Sequence, residues 1–172
     1  MKPRLAAAAA AVLLAACATT PEEPLRATAS LQPTKGSKTI GEVTFEQVGD
    51  KVRMIANVAR LKPGQAHGFH IHEVGDCSSG DGMSTKGHFN PFGKPHGHPS
   101  SGERHAGDLP ALNANKAGRA RLDVQLDIIT VGPGPASIIG RGLIVHADPD
   151  DFKTQPTGNA GARIACGVIR PG

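Results

Sequence analysis

Tryptophan and tyrosine are absent from this 172-residue chain, and five phenylalanines are its only aromatic rings. Proteins that hold single-stranded nucleic acid stack bases on such rings, so that class has no platform here. Charge of one sign is lacking too. The formal net charge is +4 and falls to about +2 without Lys2 and Arg4, too little to drive binding to a phosphate backbone. The longest apolar run, Leu5 to Ala16, has twelve residues, well short of the roughly 20 that span a bilayer as a helix. No later segment sustains a 3.6-residue apolar repeat, and Gly and Pro supply 36 of the 172 residues, so helices should be scarce.

What is present begins with an export signal. Lys2 and Arg4 precede the short apolar run, the order of a secretory signal peptide over residues 1–16. Its end, Leu14-Ala15-Ala16-Cys17, resembles the lipobox of bacterial lipoproteins, in which Cys17 becomes a lipid-modified first residue anchored in a membrane. An ordinary signal with a chance cysteine is the alternative. Cys77 and Cys166 are then left as a disulfide pair in an oxidising compartment or as two free thiols. Residues 17–33 carry Thr, Pro, Glu, Ala and Ser without periodicity and read as the anchor cysteine followed by a tether. Residues 34–172 read as one domain.

Alternation by twos dominates that domain. Val52, Met54, Ala56 and Val58 share one face against Lys51, Arg53 and Asn57, and Ala120, Leu122, Val124 and Leu126 share one against Arg119, Arg121, Asp123 and Gln125. Gly49-Asp50 separates the Val43 and Phe45 segment from the Val52 segment, the length of a two-residue hairpin. Short strands and Gly-rich turns predict an all-β, antiparallel barrel or sandwich.

All eight histidines lie between positions 67 and 146. In His67-Gly68-Phe69-His70-Ile71-His72, period two sets Phe69 and Ile71 on one face and His70 and His72 on the other. The same parity turns His146 away from Leu143 and Val145, so these histidines are expected to face out of the core, on the outer wall of the barrel. His67 shares the parity of Phe69 and is expected to be structural. From Asp76 to Asp108 runs one long excursion rich in Gly, Ser, Pro and His, and loops of that length are usually functional or disordered. Within it His88, His96, His105 and Asp108 are separated by seven, eight and two residues. Three imidazoles and a carboxylate complete a four-coordinate zinc site with no place for substrate, which is a structural site. His98 is expected to be exposed.

The stretches HGFHIHEVGDC (67–77), GHFNP (87–91), KPHG (94–97), ERHAGDL (103–109), IIGRGLIVHADPDD (138–151) and TGNAGARIACGVI (157–169) together resemble bacterial copper/zinc superoxide dismutases, over about Ala27 to Arg170. The resemblance implies an eight-stranded Greek-key β-barrel, copper held by His70, His72, His88 and His146, and zinc held by His88, His96, His105 and Asp108. His88 would bridge the two ions. It further implies Arg163 beside copper to receive the anion, a Cys77–Cys166 disulfide, and Asp150 linking a copper histidine to a zinc histidine. The implied activity is disproportionation of superoxide to dioxygen and hydrogen peroxide, with His88 and Arg163 taking part, in the periplasm or cell envelope. Copper suits the task because it exchanges one electron readily, whereas zinc has no redox chemistry.

Departures from the eukaryotic pattern limit what carries over. Only Phe152 to Pro156 separate Asp151 from Thr157, so a long charged guiding loop is missing and Lys153 is the one candidate cation there. The chain stops six residues after Cys166, which leaves oligomeric state open, a homodimer being one arrangement the family allows. Two rival readings exist: a copper-holding protein without activity, and a zinc-only structural domain. A complete copper set and Arg163 count against the first; His70, His72 and His146 have no purpose in the second.

Overall fold

The computed structural model describes residues 23–172. Its strands are β1 (Arg26–Pro33), β2 (Ile40–Val48), β3 (Lys51–Ala59), β4 (Ala66–His67), β5 (Phe69–His72), β6 (Leu112–Asn113), β7 (Arg119–Leu126), β8 (Gly142–His146), β9 (Arg163–Val168) and β10 (Arg170–Pro171). Eight of them form one sheet in the order β5-β8-β9-β1-β2-β3-β7, with β10 beside β1. Every named pairing is antiparallel, as the alternation predicts. The sheet curls into a half-barrel around Leu31, Val43, Phe45, Met54, Val58, Phe69, Leu143 and Val145, all buried. β4 and β6 form a separate two-stranded ribbon.

The β2–β3 hairpin turns at Gly49-Asp50 with Val48 opposite Lys51. Gly49 has φ 60°, the left-handed conformation that a twist-matched two-residue turn places on its first central residue and that glycine takes without strain.

The tether expected over residues 17–33 is corrected here: residues 26–33 are β1. Ala27, Ala29 and Leu31 point into the core while Arg26, Thr28, Ser30 and Gln32 are exposed. Two of the three inward residues are alanines, whose small apolar surface makes the alternation faint in sequence. Residues 26–33 therefore belong to the main sheet rather than to a tether. The expected signal peptide (1–16) and Cys17 lie outside the described residues.

β5 is an end strand, and its free edge is sealed by the long excursion. His72 bridges to His88 and His70 to Asp108 in antiparallel register. Between them Phe89 N–H donates to Ile71 O (2.8 Å), Ile71 N–H to Gly107 O (2.9 Å), and Gly107 N–H to Phe89 O (2.9 Å). The loop carrying His88, His96, His105 and Asp108 is thus hydrogen-bonded onto the strand carrying His70 and His72.

Candidate metal centre

His70 and His72 project from the face of β5 opposite Phe69 and Ile71, as parity requires, yet both are 0% exposed. The site lies on the outer face of the sheet, as parity predicts, and the loops after β5 and β8 fold over that face and bury it. His146 joins them across the β5–β8 pair, where Phe69 faces Val145, and on its other side a register shift in the β8–β9 ladder sets His146 opposite Arg163.

Each histidine has one ring nitrogen tied down and the other free. His72 Nδ1–H donates to Lys86 O (2.8 Å), His146 Nδ1–H to Gly161 O (3.2 Å), and His70 Nε2–H to Asp150 Oδ2 (2.6 Å). The opposite nitrogens, His70 Nδ1, His72 Nε2 and His146 Nε2, together with His88 Nε2, are buried and have no hydrogen-bond partner among the described residues. Four orphaned imidazole nitrogens, mutually within 4.8 Å, form a donor set that suits copper. Fixing one nitrogen of each ring by a hydrogen bond sets the tautomer and aims the other at the ion.

The second set lies on the far side of His88. His88 Nδ1 is 2.8 Å from Asp108 Oδ1, His96 Nδ1 is 3.0 Å and His105 Nδ1 3.3 Å from the same oxygen. Asp108 Oδ2 is occupied by the N–H groups of Gly97 (3.0 Å) and His105 (2.9 Å), which leaves Oδ1 to face the three nitrogens. Three imidazoles and one carboxylate match structural zinc. His88 belongs to both sets, offering Nε2 to one and Nδ1 to the other.

Electrostatics separates the two halves. Burial holds His72 well below the usual imidazole range, and burial aided by neighbouring histidines lowers His88 to about 4 and His146 to about 3. On the zinc side burial also opposes the charge of His96, but hydrogen bonds to Asp108 and Asp150 outweigh it and raise that ring to about 9. Burial resists the charge of Asp108 and Asp150, yet their histidine partners hold both carboxyls below the ordinary range. Without metal, His72, His88 and His146 present neutral lone pairs on the copper side, and His96 forms an ion pair with Asp108 and Asp150 on the zinc side.

A family model described as copper/zinc superoxide dismutase matches residues 39–169. The chain belongs to that family. It is also similar to a solved structure described as that of the clock protein EA4, at 41% identity and a TM-score of 0.78, covering 88% of this chain and 98% of that one. As a copper/zinc superoxide dismutase it has complete sites for both metals.

In this dismutase Cys77 and Cys166 are bonded, 89 residues apart. The bridge ties the loop after β5 to β9, the strand that starts at Arg163. That guanidinium donates to Gly82 O (2.7 Å), Thr85 Oγ1 (2.8 Å) and Lys86 O (2.6 Å). Lys86 O therefore joins Arg163 to copper histidine His72. Burial lowers the Arg163 pKa, with Asp81 acting the other way, and a guanidinium stays charged at any ordinary pH. Asp150 accepts from His70 Nε2 (2.6 Å) and His96 Nε2 (3.0 Å), one carboxylate spanning both halves. His67 is buried and donates from Nδ1 to His146 O (2.8 Å), the structural role its parity suggests. His98 is exposed, bonded to Ser100 Oγ at 2.8 Å, and Lys153 is exposed on the short loop after Asp150.

Three supporting residues carry no local signal in sequence. Gln155 bonds the backbone of His96 from 59 residues away. Thr34 Oγ1 donates to Arg163 O (2.7 Å) from the far end of β1. Gly158, with φ +67°, packs so closely on the Asp150 carboxylate and His96 Nε2 that a Cβ has no room. Each acts through a contact that only the tertiary fold creates.

Proposed function

We propose that this protein disproportionates superoxide, two anions and two protons giving one dioxygen and one hydrogen peroxide, in a bacterial cell envelope. The observation that supports it most is the dual orientation of His88: Nδ1 lies among the zinc donors and Nε2 among the four orphaned copper donors. When bound, copper supplies a one-electron redox couple and zinc a fixed positive charge. The residues His70, His72, His88 and His146 hold the first, and His88, His96, His105 and Asp108 the second. Arg163 binds and orients the anion: its three acceptors immobilise the guanidinium beside His72, so the charge waits in place before substrate arrives. His88 Nε2 is the nitrogen that can take up and return a proton while Nδ1 stays fixed on the zinc side.

Reconstitution with copper and zinc, followed by a dismutase assay and elemental analysis, tests this reading. Activity should appear only with copper. Arg163→Ala should lose about 10- to 100-fold in activity, the scale of a charge-assisted contact, while keeping both metals. His88→Ala should lose both metals and activity together. Negligible activity in the fully loaded protein would instead identify a metal-holding protein, and metal loss from Arg163→Ala would refute its assignment to the substrate.

Envelope location and anchoring are supported by the signal-like residues 1–16, by Cys17 in its lipobox context, and by the Cys77–Cys166 disulfide, which fits an oxidising compartment. Cell fractionation of Cys17→Ser at high salt decides between the alternatives: release from the membrane fraction supports the lipid anchor, and retention overturns it.

A further inference from the structure

One pole of the half-barrel collects cations, with Glu42 and Asp123 as the carboxylates at its border. Three segments meet there: 36–41 leading into β2, 59–64 after β3, and 111–122 leading into β7. Thr39 Oγ1 donates to Arg60 O (3.3 Å), Leu61 N–H to Gly118 O (3.0 Å) and Gly64 N–H to Asn115 O (3.2 Å), while Ala59 faces Arg119 in the β3–β7 ladder. These segments carry Lys38, Arg60, Lys62, Lys116, Arg119 and Arg121 and none of the chain's 15 acidic residues. All six cations are exposed. Arg121 reaches Asp123 at 3.8 Å; the other five have no carboxylate within 4.0 Å among the described residues.

A groove of about 560 Å³ opens at the same pole. Leu31, Ile40, Val58 and Ala120 supply apolar lining, with Arg119 and Arg121 at its side. Glu42 also borders it, its carboxylate accepting from Ser30 Oγ at 2.8 Å. Gly41 lines it too, packed so closely that a Cβ there would lie 2.8 Å from Asn57 O and 3.2 Å from Leu31 Cδ1.

We propose that this pole is a docking surface for an anionic lipid bilayer. Exposed cations without carboxylate partners sum to a positive field that a dense negative surface complements. A soluble polyanion matches the charge alone, whereas a phospholipid surface matches both features: phosphates for the cations and acyl or glycerol carbon for the groove. Docking at this pole holds the domain in one orientation on the membrane, and none of the residues involved belongs to the metal centre. The inference is independent of dismutase activity and of acylation at Cys17.

The test is sedimentation of the metal-loaded full chain with vesicles of phosphatidylcholine alone or with about 30% phosphatidylglycerol, at low and at high salt. A lipid anchor adds equally to both compositions, so the ratio between them reads the basic pole. Partition should favour the anionic vesicles at least tenfold at low salt and lose that preference at high salt. Each cation contributes about fivefold, so Lys62→Glu with Lys116→Glu and Arg119→Glu should remove about 100-fold, with metal content and activity unchanged. Equal partition into both vesicles, or a preference that survives the triple reversal, overturns the proposal. Salt-sensitive retention on a sulfated polysaccharide column without vesicle binding overturns it in favour of a soluble polyanion.

Discussion

The Gln155 side chain grips the His96 backbone at both ends, Oε1 accepting from His96 N–H and Nε2 donating to His96 O, each at 2.9 Å. A side-chain amide thereby imitates a strand neighbour and fastens the zinc loop to the short loop that carries Asp150. Gln155→Ala should speed zinc release about tenfold, the lower end of what outer-shell partners contribute, and leave copper affinity in excess zinc unchanged. Transfer of zinc to a chromogenic chelator measures the first, and equal loss of both metals would contradict the assignment.

Asp150 holds one ring from each half, so its removal should be felt as a change in ring aim rather than in donor number. Asp150→Ala should weaken zinc about 10- to 100-fold while all seven ligands stay in place. Gly158→Ala should resemble it, because the added methyl occupies the carboxylate's own position. Competitive zinc titration of both variants checks the pair; a Gly158→Ala protein with ordinary zinc affinity would show that the carboxylate can move without cost.

Proton competition should distinguish the two metals. In the metal-free protein His96 is raised to about 9, so at neutral pH it is protonated and zinc must displace that proton to reach Nδ1. Zinc affinity should therefore rise by up to about tenfold per pH unit from 7 to 9 and flatten above, since one proton is one factor of ten per unit. His88 and His146, lowered to about 4 and about 3, are already neutral there, and copper affinity should be nearly flat over the same interval. Calorimetry in buffers of different ionisation enthalpy should find about one proton released for zinc and close to none from His88 and His146 for copper.

Opening the disulfide should cost stability and activity by separate routes. A bond across 89 residues restrains the unfolded chain by about 4 to 5 kcal/mol in the chain-entropy account, or roughly 10 to 20 °C in Tm for a domain of this size. The same bond restrains the segment of Gly82, Thr85 and Lys86 that holds Arg163. Cys77→Ser with Cys166→Ser, compared with the parent by scanning calorimetry and assayed well below its own Tm, should show lower activity while both metals remain.

Much of this was legible in the residues themselves. Period-two parity set His70 and His72 opposite Phe69 and Ile71 because side-chain direction along a strand is a local property. The spacing of His88, His96, His105 and Asp108 announced a zinc set because the donors lie within one loop. Their burial was not legible: parity tells which face a side chain takes, and the loops that cover that face close by tertiary contact. β1 was hidden for a different reason, since Ala27 and Ala29 fill the core with too little apolar surface to mark a strand in a segment otherwise polar. Gln155 and Thr34 are ordinary residues until the fold brings His96 and Arg163 to them.

The pairing of His72 with His88 and of His70 with Asp108 along the rim of β5 reaches beyond chemistry. The loop caps the main-chain donors and acceptors of that rim, which would otherwise be an open edge on which a second molecule could add a strand. A loop that carries ligands thereby also closes the sheet.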